Sequence, residues 1–151
     1  MFRGLSPLAL DGKGRLSIPA KFRERLGEIC NGHLVVTIHS DRCLLIFPLP
    51  EWEIVEKKLT QLPSTHKRAL ALRRLLIGHA EDCEMDGQGR ILLSASLRQF
   101  AALDKRVVLV GQGSRFELWD EQTWHQKREQ WLAEQTEETE GLPGELESLS
   151  F

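Results

Sequence analysis

Cysteine is scarce. Cys30, Cys43 and Cys83 are the only three in 151 residues, far apart and without a C-x-x-C pair. An odd, dispersed set cannot staple a small disulfide scaffold and reads as the reduced thiols of a cytosolic protein. Long apolar runs are missing too. Nothing approaches the length needed to cross a bilayer, and no apolar stretch follows Met1-Phe2-Arg3 as a secretion signal would require. The expectation is a soluble, intracellular chain, neither secreted nor anchored. The frames of familiar catalytic sites are absent: no G-x-S-x-G, no H-E-x-x-H and no Walker loop. Gly12-Lys13-Gly14-Arg15 lacks the surrounding G-x-x-x-x-G-K-[ST] frame. His33, His39 and Cys43 fall near one another, but their spacing matches no zinc pattern. The expectation is therefore a protein that is not an enzyme, with no metal and no cofactor.

Net charge is only −2, yet it is unevenly placed. Residues 1–77 hold 13 Lys/Arg against 7 Asp/Glu, while residues 78–151 hold 7 against 15. Six glutamates lie from Glu134 onward with no basic residue among them. A basic first half with an acidic tail suits a polyanion partner on one face, or an ordinary solvated surface.

What the chain does contain is a repeat. Leu10-Asp11-Gly12-Lys13-Gly14-Arg15-Leu16 is echoed by Met85-Asp86-Gly87-Gln88-Gly89-Arg90-Ile91, with Asp and Arg four apart and two glycines in register. Ala20-Lys21-Phe22-Arg23 aligns with Ala95-Ser96-Leu97-Arg98 at the same offset. Apolar residues flanking a glycine-bearing tight loop are a hairpin signal. In a three-residue loop Asp11 and Arg15 would face each other across the strands as a charge pair. Such a pair can pin the turn, or it can orient a guanidinium at the tip of a rigid ribbon, or both. An exposed ion pair adds little stability by itself. Arginine so placed can grip phosphate or take a guanine edge bidentately.

The rest of the chain reads as β-turn-β-α-β-β-α, twice. A strand over Gly4–Leu10, with Pro7 marking an edge, enters the first turn, and Leu16 and Ile18 leave it. Pro19 opens a helix that Gly27 would stop. His33–Ile38 and Cys43–Phe47 are β-rich, and a helix over Glu51–Leu59 carries Trp52, Val55 and Leu59. Ser64 or Thr65 can cap a helix running to about Gly78. Its Lys67, Arg68, Arg73 and Arg74 are a solvated face or phosphate contacts. Glu81–Met85 and Ile91–Leu93 flank the second turn, and Ser94 is the expected N-cap of the next helix. Val107–Val110 and Phe116–Trp119 form the second strand pair. A last helix from about Gln122 to Gln135 uses Trp124 and Trp131 as packing anchors. Each copy is too short to close a core comfortably alone, so the two should interlock around a pseudo-two-fold axis. The expected divisions are a first unit over 1–60, a linking helix over 61–78, a second unit over 79–133 and an acidic tail over 134–151.

With the twin D-x-x-x-R turns, Met1-Phe2-Arg3-Gly4, Pro48-Leu49-Pro50-Glu51-Trp52 and Phe116-Glu117-Leu118-Trp119-Asp120, the sequence resembles the MraZ family over nearly its whole length. These are bacterial regulators associated with the division and cell-wall gene cluster. The resemblance implies an α+β fold of the AbrB/MazE/MraZ-like double-split β-barrel type (SpoVT-AbrB), two pseudo-symmetric ββαββα units in one chain. It implies ring-shaped homo-oligomers that bind double-stranded DNA at repeated guanine-containing boxes upstream of their own operon and repress it, in the cytoplasm at the nucleoid. On this chain the DNA-facing residues would be Arg15 and Arg90, oriented by Asp11 and Asp86, with Lys13 beside the first. Charge and proximity add Arg3, Lys21 and Arg23. The second turn carries Gln88 in place of the lysine and is preceded by Glu81, Asp82 and Glu84, so the first turn is expected to dominate. Whether the second touches DNA stays open. A different reading is an antitoxin-type protein-interaction module, docking a partner through the acidic tail or the Trp-bearing helix.

Overall fold

The structure is a computed structural model and describes residues 1–135. Most of the acidic tail expected over 134–151 thus lies outside the described residues. The elements run β1 Phe2–Ala9, β2 Arg15–Ser17, α1 Ala20–Cys30, β3 His33–Ile38, β4 Leu44–Pro48, α2 Leu49–Gln61 and α3 Lys67–Leu76. They continue with β5 Glu81–Glu84, β6 Arg90–Leu92, α4 Ala95–Phe100, β7 Arg106–Gly113, β8 Phe116–Asp120 and α5 Glu121–Gln135. The chain divides into two compact units, Met1–Glu121 and Gln122–Phe151.

Six strands of the first unit form one sheet in the order β1-β7-β8-β4-β3-β5, and β2 pairs with β6 in a separate two-stranded ribbon. Every pairing is antiparallel. If β1, β2, β3 and β4 are exchanged for β5, β6, β7 and β8, the sheet order reads the same from its other end. The repeat in the sequence is therefore a pseudo-two-fold axis in space, and β1 of one repeat completes the sheet of the other just as β5 does in return. Helix α3 has no counterpart among the described residues of the second repeat.

The turns differ from expectation in one respect. The glycine-bearing loops do not close hairpins, because the strands on either side of each loop part company. β1 goes to β7 while β2 goes to β6; likewise β5 goes to β3. Within each loop the backbone bonds are local: Asp11 N to Arg15 O at 3.1 Å and Gly14 N to Asp11 O at 3.0 Å in the first, Asp86 N to Arg90 O and Gly89 N to Asp86 O at 2.9 Å in the second. Burial decides this. Leu16 and Ile91, opposite one another in the ribbon, are 0% and 1% exposed, and a fully buried aliphatic side chain contributes about 1.5–3 kcal/mol. Pairing across repeats buries both.

The strands β3 and β4 show why one sheet can serve two cores. Leu34, Val36, Ile38, Leu44 and Ile46 point to a large cluster that also takes Leu16, Phe22, Leu26, Ile91, Leu97 and Phe116. Their neighbours Val35, Leu45 and Phe47 point the other way, to a smaller cluster with Trp52, backed by Val55 and Leu76 from α2 and α3. Alternation with period two, apolar on both faces, demands cover on both sides. Phe2, Phe22 and Phe116 meet at ring-centroid distances of 4.4–5.7 Å and tie the two repeats at the sheet edge. Thr37 is fully buried, and its hydroxyl donates to the Leu76 carbonyl at 2.6 Å, satisfying the end of α3.

Helix ends refine the sequence reading. α1 runs past Gly27 and ends at Asn31, left-handed at φ 52°, whose N–H returns to Gly27 O, followed by Gly32 at φ 77° bonding Leu26 O. That paired arrangement satisfies carbonyls which a stop at Gly27 would have left open. α3 is capped by His66 rather than Ser64 or Thr65: the ring Nδ1 accepts from Ala69 N at 3.2 Å. Ser94 caps α4 as expected, accepting from Leu97 N at 3.2 Å. Pro7 does sit on an edge strand, β1. In the second unit, the rings of Trp124 and Trp131 meet at 5.6 Å within α5.

Candidate nucleic-acid interface

Each turn is wired by its aspartate. Asp11 Oδ1 accepts from the backbone N–H of Lys13 and of Arg15, both at 2.9 Å, and Oδ2 takes Arg15 Nε at 2.5 Å. Asp86 repeats this with Gln88 N and Arg90 N at 2.9 Å and Arg90 Nε at 2.8 Å. Gly14 at φ 84° and Gly89 at φ 75° supply the positive φ that lets the chain turn back into the ribbon. The Arg15 backbone hydrogen bond, then its side-chain one, hold the Asp11 carboxyl at about 2. The Arg90 backbone hydrogen bond lowers Asp86 in the same sense. Both aspartates are thus anions at any ordinary pH, and both clamps stay closed.

The clamp uses only Nε of each arginine. The terminal nitrogens of Arg15 and Arg90 have no partner among the described residues, and their side chains are 32% and 28% exposed. A guanidinium held by one edge, with its terminal nitrogens free, is preorganised to fork onto a phosphate or a guanine edge. The ribbon register places Arg15 opposite Leu92 and Ser17 opposite Arg90. The two arginines are therefore diagonal neighbours on one outer face, roughly 7–8 Å apart along the backbone. Lys13 is exposed at the tip of the first turn.

The repeats also brace each other. Ile18 N donates to Gly89 O at 2.9 Å, and Leu93 N donates to Gly14 O at 3.0 Å. Arg23 Nε donates to Ile18 O at 2.6 Å and lies across Gly89, whereas Arg98 Nε donates to Leu93 O at 3.2 Å and lies across Gly14. Arg23, grouped by sequence with the first turn, thus stands against the second. Arg98 stands against the first and was not among the expected residues. It also lines a cavity of about 420 Å³ beside that turn, with Asp11, Asp104 and Lys105. The alignment of Arg23 with Arg98 across the repeat was the signal that could have found it.

Arg3 and Lys21 lie elsewhere. Arg3 is at the far end of β1, on the order of 20 Å of strand from the first turn. Lys21 Nζ sits 4.9 Å from the Phe22 ring centre, and Arg25 lies over Phe2 and donates to Met1 O at 3.0 Å. These cations gather around the chain N-terminus. Desolvation first, then Arg25 and Arg3, lowers the terminal amine below its ordinary value.

The remaining candidates have their own partners. His33 Nε2 is 3.3 Å from Glu84, and Cys43 is buried with its thiol pushed up by desolvation. His39 Nδ1 accepts from Asp41 N at 3.0 Å, which argues against reading its 3.7 Å approach to the Asp41 carboxylate as an ion pair, since that nitrogen carries no proton. No group of three or more His, Cys, Asp or Glu among the described residues could hold a metal ion. No helix among them is long and apolar enough to cross a membrane.

Interlocked repeats, a six-stranded sheet, a β2–β6 ribbon and paired Asp-clamped turns define an α+β protein of the AbrB/MazE/MraZ-like double-split barrel class. A family model described as "MraZ protein, putative antitoxin-like" matches the chain twice, over residues 1–75 and 76–141. Proteins named "Transcriptional regulator MraZ" from Methylococcus capsulatus, Thioalkalivibrio sulfidiphilus and Coxiella burnetii are 53%, 54% and 52% identical, each over 100% of both chains. The chain belongs to the MraZ family.

Proposed function

We propose that this chain is a DNA-binding transcriptional regulator that represses its own operon in the division and cell-wall gene cluster. It does so as a homo-oligomeric ring on repeated guanine-containing boxes, in the cytoplasm at the nucleoid. The observation that carries the reading is the pair of clamped arginines, Arg15 and Arg90, diagonal on one outer face with their terminal nitrogens free. The names of the relatives support it. In this reading 1–60 and 79–133 are the two units joined by 61–78. Lys13 adds a phosphate contact at the first turn, which therefore dominates, and Arg23 and Arg98 hold the turns rather than read bases. Arg3 and Lys21 form a separate basic flank. One face of this kind reaches few phosphates, each worth a salt slope of roughly −0.9, so a single copy binds weakly. Several copies matched to repeated boxes gain affinity through effective concentration.

The test is a mobility shift with DNA from just upstream of the gene, across salt concentrations, beside a native mass measurement. A shift with a steep salt dependence and a mass of several subunits is expected. The description of the family as antitoxin-like keeps a second reading in view. No shift, together with a stoichiometric protein partner, would replace the first reading with an antitoxin-type interaction module.

A further inference from the structure

On the sheet face away from the β2–β6 ribbon, α2, α3 and the β3–β4 loop surround a cavity of about 430 Å³ that the DNA reading leaves unused. Its walls are apolar: Leu45, Phe47, Val55, Leu72, Leu75 and Leu76. Leu72 and Leu75 are 43% and 48% exposed although they lie on a ten-residue helix with a strong apolar stripe. Two guanidinium groups stand among these walls. Arg42, held at φ 67°, lies over the Phe100 ring at 4.8 Å, and Arg115 lies over Phe47 at 5.7 Å. Neither makes an ion pair among the described residues. Arg115 Nε is buried without a hydrogen-bond partner among the described residues. A buried cationic N–H left unpaired is costly and rare. Asp41 and Glu117 are the acids nearby; neither forms an ion pair with Arg42 or Arg115 among the described residues, and Glu117 accepts from Trp119 Nε1 at 3.1 Å.

We propose that this cavity is a binding site for a small anionic amphiphile, an apolar chain ending in a carboxylate or similar oxyanion. The chain lies against Leu45, Val55, Leu72 and Leu75, and the oxyanion accepts from the terminal guanidinium nitrogens of Arg115 and Arg42, both of which line the cavity. The volume falls in the range of ordinary small-molecule sites, and an apolar wall with few convergent polar groups is their usual composition. Arginine suits the role because its fork matches an oxyanion and its flat face tolerates an aromatic neighbour.

The test is calorimetric titration of the intact protein with decanoate below its micelle concentration, alongside decanol and decyltrimethylammonium. Decanoate is expected to bind one per chain, at least tenfold tighter than decanol, with no binding of the cation. Octanoate should bind about fourfold more weakly per methylene removed. Arg115→Gln should lose at least tenfold, and Leu75→Glu, at a half-exposed position that keeps the fold, should abolish binding. Titration with vesicles containing phosphatidylglycerol separates a free acid from a lipid surface, and binding of vesicles alone would overturn the proposal. So would equal affinities for decanoate and decanol, indifference to both substitutions, or no heat with decanoate because a second copy fills the site. None of these outcomes touches DNA binding, which is read independently.

Discussion

Arg98 of the second repeat lies across Gly14 of the first, so that a Cβ on Gly14 would come within 2.6 Å of its Nε. Arg23 returns the contact over Gly89. Each turn is therefore held from two directions, by its own aspartate and by the other repeat's arginine. The duplicated sequence interlocks, and neither turn keeps its full set of contacts without the opposite half.

Gly14→Ala should destabilise the fold by at least about 1–2 kcal/mol, because it adds the left-handed backbone penalty of a side chain and displaces Arg98. Gly12→Ala, where a Cβ meets nothing within 4 Å and φ is not left-handed, should leave stability within about 0.5 kcal/mol. Thermal or urea unfolding of the two variants checks the contrast. Equal effects would mean that the brace is not part of the turn.

The brace bears on what could be read from the sequence. The repeat, its offset, the eight strands and the Ser94 cap were all legible, because they rest on local patterns of apolar and turn residues. Strand partners were not. A glycine loop between two apolar stretches ordinarily closes a hairpin, and only the burial of Leu16 against Ile91 across the repeats redirects both arms. Helix ends at Asn31 and His66 escaped for a related reason. Left-handed Asn and a histidine ring can do what Gly27 and Ser64 do more commonly, and the choice is made by where the neighbouring strands need the chain to go. At the site, charge clustering in the first half drew attention to Arg3 and Lys21 and away from Arg98. The spatial swap between halves put the true neighbours of the first turn in the less basic half.

Helix caps offer an independent check on the halves. Ser94 accepts from Leu97 N and donates to Glu81 at 2.7 Å, tying α4 to β5. Its counterpart Pro19 makes no such bond. Ser94→Ala should cost about 1 kcal/mol by urea denaturation, the typical value for a lost N-cap. A neutral substitution would show that the first repeat's bare cap is no weaker.

Asp11 gives the turn a defined acid limit. Its carboxyl is lowered to about 2 in the folded chain, against an ordinary value near 3.8. A depressed folded value means that the contribution is complete above the unfolded value and lost as pH falls through the folded one. The clamp therefore persists from neutral pH down to about 4 and opens only towards pH 2. A carboxyl-detected NMR titration should find the Asp11 midpoint near 2, and a midpoint near 4 would mean that the clamp is open in solution.

Replacing Asp11 with Asn keeps the shape of the acceptor but removes the charge that fixes Arg15 Nε. DNA affinity should fall while the melting temperature changes little, since the pair is solvent-exposed. Asp86→Asn should produce a smaller loss if the first turn dominates. Fluorescence anisotropy with upstream DNA reads both, and a larger effect at Asp86 would reverse the assigned order of the turns.

The central claim is that the free terminal nitrogens of Arg15 and Arg90 are what meets DNA. It is tested most directly by the affinity and salt slope of Arg15→Ala, Arg90→Ala and the double variant on DNA from just upstream of the gene, with folding confirmed for each. The predicted result is a loss of at least tenfold for Arg15→Ala, a further loss in the double variant, and a shallower salt slope. A folded double variant that binds with the affinity and salt slope of the original chain would contradict it.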